Sequence, residues 1–171
     1  MATIRILLAL LCFIGIGRSW RTDRSVISDN NAPQKLLAIA AKEVGVKEDQ
    51  ENSSPRVDQY NAYVGFKSVP WCASFVSWCH AKAGYAQPRT AWSPSLFPRN
   101  RLARDPLAGM VMGIYFPSLK RIAHCGFIAK VRGDWLETIE GNSSNNGSRE
   151  GTGVFRRLRH KRTIAKYANW L

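Results

Sequence analysis

The sequence predicts an α+β domain, with helices in its first half and a small antiparallel sheet in its second. Three observations carry this. Residues 33–84 contain three stretches punctuated as helices; a proline-rich segment follows; from Met110 the chain breaks into short β-type runs.

The first helix is predicted to begin at Pro33, a residue suited to the first helical position. It places Leu36, Ile39, Ala40 and Val44 on one face and ends at Gly45. A charged loop covers 46–53. Ser54-Pro55 opens a second helix that turns Val57, Tyr60 and Val64 inward and ends at Gly65. A third runs from about Trp71 to Ala83, with Gly84 closing it. Pro88, Pro94, Pro98 and Pro106 make 85–108 a loop with one short helical turn after Ser93. Strands are expected at 110–116, 122–131, 135–140 and 154–158. Arg132-Gly133-Asp134 is a tight connection, and 141–153 is a Gly/Ser/Asn loop. There is no internal repeat.

The chain has 171 residues, 45% of them hydrophobic, with 18 aromatics, enough to fill one core and to exclude a disordered chain. Lys and Arg number 25 against 12 Asp and Glu, a net charge of +13. Such a surface favours anionic partners. Arg5 precedes a 12-residue apolar stretch, Ile6 to Gly17, that ends in small residues. This is the pattern of a secretory signal peptide over residues 1–19, and it implies an exported, periplasmic or extracellular protein. The stretch is too short for a membrane span. Residues 20–32 read as a flexible lead-in and 33–171 as the folded domain. Without residues 1–19, which contain Arg5, Arg18 and no acid, 23 basic side chains face 12 acidic ones, a charge of +11. Cys72, Cys79 and Cys125 remain, an odd number that leaves at least one thiol unpaired within the chain.

Cys72 lies at the start of the third helix, where free backbone N–H groups favour a thiolate and can hold an oxyanion. His124 falls within a strand run. Glu140 and Asn142, two residues apart at a strand end, are expected on one face of an extended chain. A cysteine nucleophile, a histidine base and a polar group that orients the imidazole make up a thiol-hydrolase triad. Cys79 lies seven residues beyond Cys72, about 10.5 Å along a helix, too far for a disulfide. Strand alternation sends Cys125 to the face opposite His124, so Cys79 and Cys125 are both expected in the core.

Pro70-Trp71-Cys72-Ala73-Ser74-Phe75-Val76, then His124-Cys125-Gly126-Phe127-Ile128, then Glu140-Gly141-Asn142 resembles the cysteine, histidine-dependent amidohydrolase/peptidase (CHAP) domain of the NlpC/P60 superfamily. The resemblance covers roughly residues 34–158 and keeps the family's motif order. It implies a papain-like fold in which the nucleophile helix packs on a small sheet. It also implies hydrolysis of amide bonds in bacterial peptidoglycan, without a cofactor or metal. By motif match Cys72 is the nucleophile, His124 the base, and Glu140 with Asn142 the orienting groups. The chain departs from the pattern at Gly109, which Met110 rather than Asp follows, and at Trp71, where some members carry Gln. The second oxyanion donor is therefore sought at Tyr60 or Asn61.

Competing readings are fewer in their support. The run Arg156-Arg157-Leu158-Arg159-His160-Lys161-Arg162 suits a phosphate backbone, but the export signal argues against nucleic acid. With Lys120, Arg121 and Arg149 it is instead the expected contact with peptidoglycan and anionic wall polymers. A zinc site from Cys72, Cys79, His80, His124 and Cys125 lacks standard spacing. A non-catalytic basic wall-binding domain with the same fold is the main alternative.

Overall fold

The computed structural model describes residues 31–144 and 151–171. The expected signal peptide, most of the lead-in and Arg149 lie outside the described residues. No described helix is long and apolar enough to cross a membrane.

The domain is α+β. Helix α1 spans Ala32–Lys42, α2 Pro55–Tyr63 and α3 Cys72–Ala83. Six strands follow: β1 Leu102–Ala103, β2 Val111–Phe116, β3 Arg121–Arg132, β4 Trp135–Ser143, β5 Gly153–His160 and β6 Lys166–Ala168. They form one antiparallel sheet in the order β1-β6-β2-β3-β4-β5.

Helix α1 buries Ala32, Leu36 and Ala40. Val44, expected inward, is exposed because the helix stops at Lys42 and the chain turns at Gly45, whose φ is +98°. Glu43 takes the buried place instead. Its carboxylate accepts from Arg56 Nε at 2.8 Å and from the Tyr60 hydroxyl at 2.6 Å, tying α1 to α2. Helix α2 is capped by Ser54, whose hydroxyl accepts from the Val57 N–H.

Helix α3 is buried over nearly its whole length, so its sequence lacks a charged face, and its buried polar side chains are the small Ser74 and Ser77 and His80. Tyr60, Trp71, Phe75 and Trp78 pack edge-to-face or tilted where α2 meets α3, and Phe75 packs on Phe127 of β3. This core lies between the helices and one face of the sheet. A smaller cluster of Met110, Met112, Ile128 and Leu136 covers part of the other face.

Two close approaches explain glycines in the motifs. A Cβ at Gly141 would stand 2.7 Å from Phe75 and 2.8 Å from Trp71. One at Gly126 would stand 2.7 Å from Glu140 Cγ. Neither site tolerates a side chain without moving the nucleophile helix or the buried carboxylate.

Candidate active site

Cys72 is the first residue of α3, and Trp71 before it is held at two points. The Trp71 indole donates to Glu48 Oε1 at 2.5 Å. Its backbone N–H donates to the Asn142 side-chain oxygen at 3.0 Å, in the amide orientation that satisfies both Asn142 atoms; the Asn142 nitrogen then donates to Gly151 O at 3.2 Å. The helix start is thereby fixed from the 46–53 loop and from the end of β4. The first N–H groups of α3 have no acceptor within the helix and point toward the Cys72 end.

Around the sulfur stand three groups. The Ser93 hydroxyl lies at 3.3 Å, and the Cys125 thiol and the His124 imidazole interact with it from β3. The Cys125 S–H, donated to the sulfur, draws the Cys72 pKa down most strongly; burial opposes this, and His124 and Ser93 add to the lowering. The net result is a thiol held well below its usual range. Cys125 moves the opposite way, pushed up by burial and by the neighbouring Cys72. Of the two coupled thiols, Cys72 is the one that ionises, since it alone sits at a helix N-terminus.

The β2–β3 register shifts between His124 and Ile122, so strict alternation breaks beside the site; His124 opens to the cleft while Cys125 is fully buried. The expectation that Cys125 is a core residue holds, but it does not stand apart from the site. Cys72 lies across the strand and meets both neighbours. Cys79 is buried two turns along α3, its thiol pushed well up by burial.

His124 Nε2 lies 2.8 Å from Glu140 Oε2, which leaves Nδ1 as the ring nitrogen for the Cys72 sulfur. Burial disfavours the imidazolium, yet the Cys72 sulfur and Glu140 outweigh it and raise the His124 pKa to about 9. Glu140 is fully buried. Burial works against its charge, but Arg159 and His124 hold its carboxyl well below the usual carboxylate range. Arg159 binds it with both arms of the guanidinium, Nε to Oε1 at 2.9 Å and Nη2 to Oε2 at 2.6 Å. The Thr138 hydroxyl adds a bond to Oε1 at 2.6 Å. The chain thus builds a line of contacts: Cys72, His124, Glu140, Arg159.

Asn142 does not share the face of Glu140. The β4–β5 register shifts between Glu140 and Ser143, and Asn142 takes a left-handed φ of +51°, so alternation breaks there. Glu140 turns to His124 and Asn142 to Trp71. Tyr60 and Asn61 are corrected as oxyanion donors. The Tyr60 hydroxyl is committed to Glu43, and the Asn61 amide nitrogen donates to Val69 O at 3.1 Å, bracing the loop before Pro70. The zinc grouping is not assembled: His80 donates Nδ1–H to Val76 O at 2.9 Å, is buried, and has its pKa lowered by burial to about 4. Among the described residues no three His, Cys, Asp or Glu side chains are grouped to hold a metal.

Sequence reasoning missed Ser93 and Arg159. Ser93 sits in the proline-rich segment with no motif to mark it. Arg159 was assigned to an outward basic run, but alternation along β5 divides that run. Arg156 and Leu158 are exposed, whereas Arg157 and Arg159 line the site. Arg121, expected at the outer contact surface, also lines it, with its guanidinium 4.1 Å from the Trp92 ring centroid.

Two cavities meet over Cys72. One of about 330 Å³ includes His124, Asn142, Ser143 and the three arginines in its lining. The other, about 410 Å³, is bounded by Val64, Phe66, Val69, Trp92 and Ser93. Both share Pro70, Cys72, Arg121 and Ala123, so a single groove passes over the sulfur.

Replacing Cys125 with alanine is expected to raise the Cys72 pKa, because the thiol that most stabilises the thiolate is lost. The acid limb of activity should move to higher pH, with about 1–2 kcal/mol lost in stability to the small cavity. An acid limb that stays in place, measured as log(kcat/KM) against pH, would show that Cys125 only fills space.

No protein-family model matches the chain, and no curated protein does. Among solved structures, Ly7917 superposes with a TM-score of 0.48 at 15% identity, covering 79% of this chain and 60% of that one. Ly7917 with the hydrolyzing product of MDP gives a TM-score of 0.45 at 16% identity, covering 79% and 61%. A protein described as similar to a lipoprotein of the NLP/P60 family, from Staphylococcus aureus, gives a TM-score of 0.48 at 14% identity, covering 82% of this chain and 42% of that one. The chain spans less than two thirds of the length of each.

Proposed function

We propose that the protein is a thiol-dependent amidohydrolase that cleaves amide bonds of bacterial peptidoglycan, with Cys72 as nucleophile. The observation that carries this is the constellation at the groove floor: Cys72 at the start of α3, His124 beside it and bonded to Glu140 at 2.8 Å, and Glu140 held in turn by Arg159. With the Cys72 thiol drawn down and the His124 imidazole drawn up, the arrangement favours the thiolate–imidazolium form, which attacks a carbonyl and then protonates the leaving amine.

The Cys72 thiolate adds to the amide carbon, and the developing oxyanion is held by backbone N–H groups at the start of α3. His124 Nδ1–H protonates the amide nitrogen as the C–N bond breaks, giving a free amine and a thioester. A water then attacks the thioester while Nδ1 takes its proton. Collapse releases a carboxylate product and restores the thiolate and imidazolium. Throughout, Glu140 accepts the Nε2–H, fixing ring orientation and stabilising the cation. Arg159 and Thr138 keep Glu140 ionised and in place.

The peptidoglycan substrate class comes from the motif resemblance and from the excess of basic charge, which suits a wall rich in carboxylates and phosphates. Export fits the apolar stretch of residues 6–17. The test is digestion of purified sacculi followed by mass spectrometry of the released muropeptides. New fragments bearing a free amine and the complementary carboxylate are expected. Sacculi that bind the protein but release nothing new would instead favour a wall-binding domain.

A further inference from the structure

The two ends of the groove differ in charge. The cavity on the His124 side has Arg121, Arg157 and Arg159 in its lining and no acidic side chain among the described residues. The other is walled mostly by apolar and aromatic groups, with Phe66 and Trp92 half-exposed at its rim; beyond the shared Arg121 it has Arg89, which is engaged with Tyr63, donating to its carbonyl at 3.0 Å and lying over its ring.

The arginines are not equivalent. Arg159 is bound at two points to Glu140. Arg121 stacks on Trp92 and donates to Ile122 O at 3.1 Å, standing where the two cavities join. Arg157 pairs in register with Thr138, one strand over from the Glu140 cluster, and its backbone carbonyl accepts from the Thr138 hydroxyl at 3.4 Å. Its guanidinium has no hydrogen-bond or ion-pair partner among the described residues.

The chemistry gives the groove a direction. His124 protonates the departing nitrogen, so the amine portion of the substrate lies in the cavity that His124 lines. The acyl portion lies beyond Ser93, against Trp92 and Phe66. We propose that Arg157, with Arg121 beside it, is a carboxylate-binding subsite for the amine portion, selecting amides whose nitrogen belongs to an amino acid with a free carboxylate. The inference rests on the thiol-hydrolase reading and adds a substrate class to it. A guanidinium fork in a half-buried cleft meets a carboxylate by two parallel hydrogen bonds, worth about 10- to 100-fold in selectivity.

The test uses two soluble muropeptides that differ only in whether the first carboxylate on the amine side of the cleaved bond is free or amidated. The wild-type protein is expected to favour the free carboxylate by about tenfold or more in kcat/KM. Arg157→Met should bring that ratio near one, whereas Arg157→Lys, which keeps the charge, should retain part of it. Cleavage of both substrates by the wild-type protein at one rate overturns the subsite alone, and that reading needs no variant. A ratio unchanged in Arg157→Met overturns it too. Cleavage of neither substrate by the wild-type protein overturns the hydrolase reading and the subsite together.

Discussion

Replacing Cys72 with serine is expected to lower kcat/KM for muropeptide cleavage by about 10³-fold or more while leaving the fold intact. Serine fills nearly the same volume beside Ser93 and Cys125, but its hydroxyl is not ionised near pH 7. The loss therefore falls on chemistry and not on packing. A second readout separates the two. His124 owes much of its raised pKa to the Cys72 sulfur, so its titration should fall from about 9 toward the ordinary histidine range in the variant. NMR titration of the imidazole reads this directly. Retained turnover would remove Cys72 from the mechanism.

Glu140→Gln should have the next largest effect, on rate, pH profile and stability together. The carboxylate favours the imidazolium, so neutralising it lowers the His124 pKa from about 9, and the alkaline limb of activity moves down with it. Rate at the optimum should fall by about tenfold or more as the imidazole loses its orienting acceptor. Arg159 is left facing a neutral amide, at a cost on the order of 3 kcal/mol. The sign of the pH dependence follows from the depressed Glu140 pKa. Its stabilisation is complete above the unfolded carboxylate value near pH 4.3 and is lost as pH falls toward the folded value. Chemical denaturation of wild type and variant should differ most near neutral pH and converge in acid. An unchanged alkaline limb would show that Glu140 does not govern the imidazole.

How much of this the sequence disclosed depends on how local each signal was. Cys72 was legible because a helix start and a breaker-free apolar run announce α3. His124 was legible because it alone of three histidines falls within an expected strand run, although β5 extends beyond its expected end to include His160. Glu140 followed from its place at a strand end. Asn142 was misplaced because a register shift and a left-handed φ overrode two-residue alternation, and nothing in Glu-Gly-Asn announces such a bulge. Arg159 was hidden in a run of similar charges. Strand pairing sets Arg159 opposite Leu136, and only its two hydrogen bonds show that the guanidinium reaches Glu140, four residues further along β4. Strands β1 and β6, two and three residues long, are too short to show any period, and the pairing of β6 with β2 joins them to the sheet. Glu43 carries no signal of burial in the sequence; Arg56 and Tyr60, 13 and 17 residues further on, supply the partners that let it be buried.

The central claim is that Cys72 is ionised at rest by its surroundings, and the pH dependence of thiol alkylation tests it most directly. Iodoacetamide reacts with the thiolate, and peptide mapping assigns each adduct. Cys72 is expected to be modified selectively, at a rate already near its plateau at neutral pH, while Cys79 and Cys125, both held protonated by burial, stay unmodified in the folded protein. A Cys72 rate that rises only near the ordinary thiol pKa of about 8.5, or that does not exceed those of Cys79 and Cys125, would contradict the account.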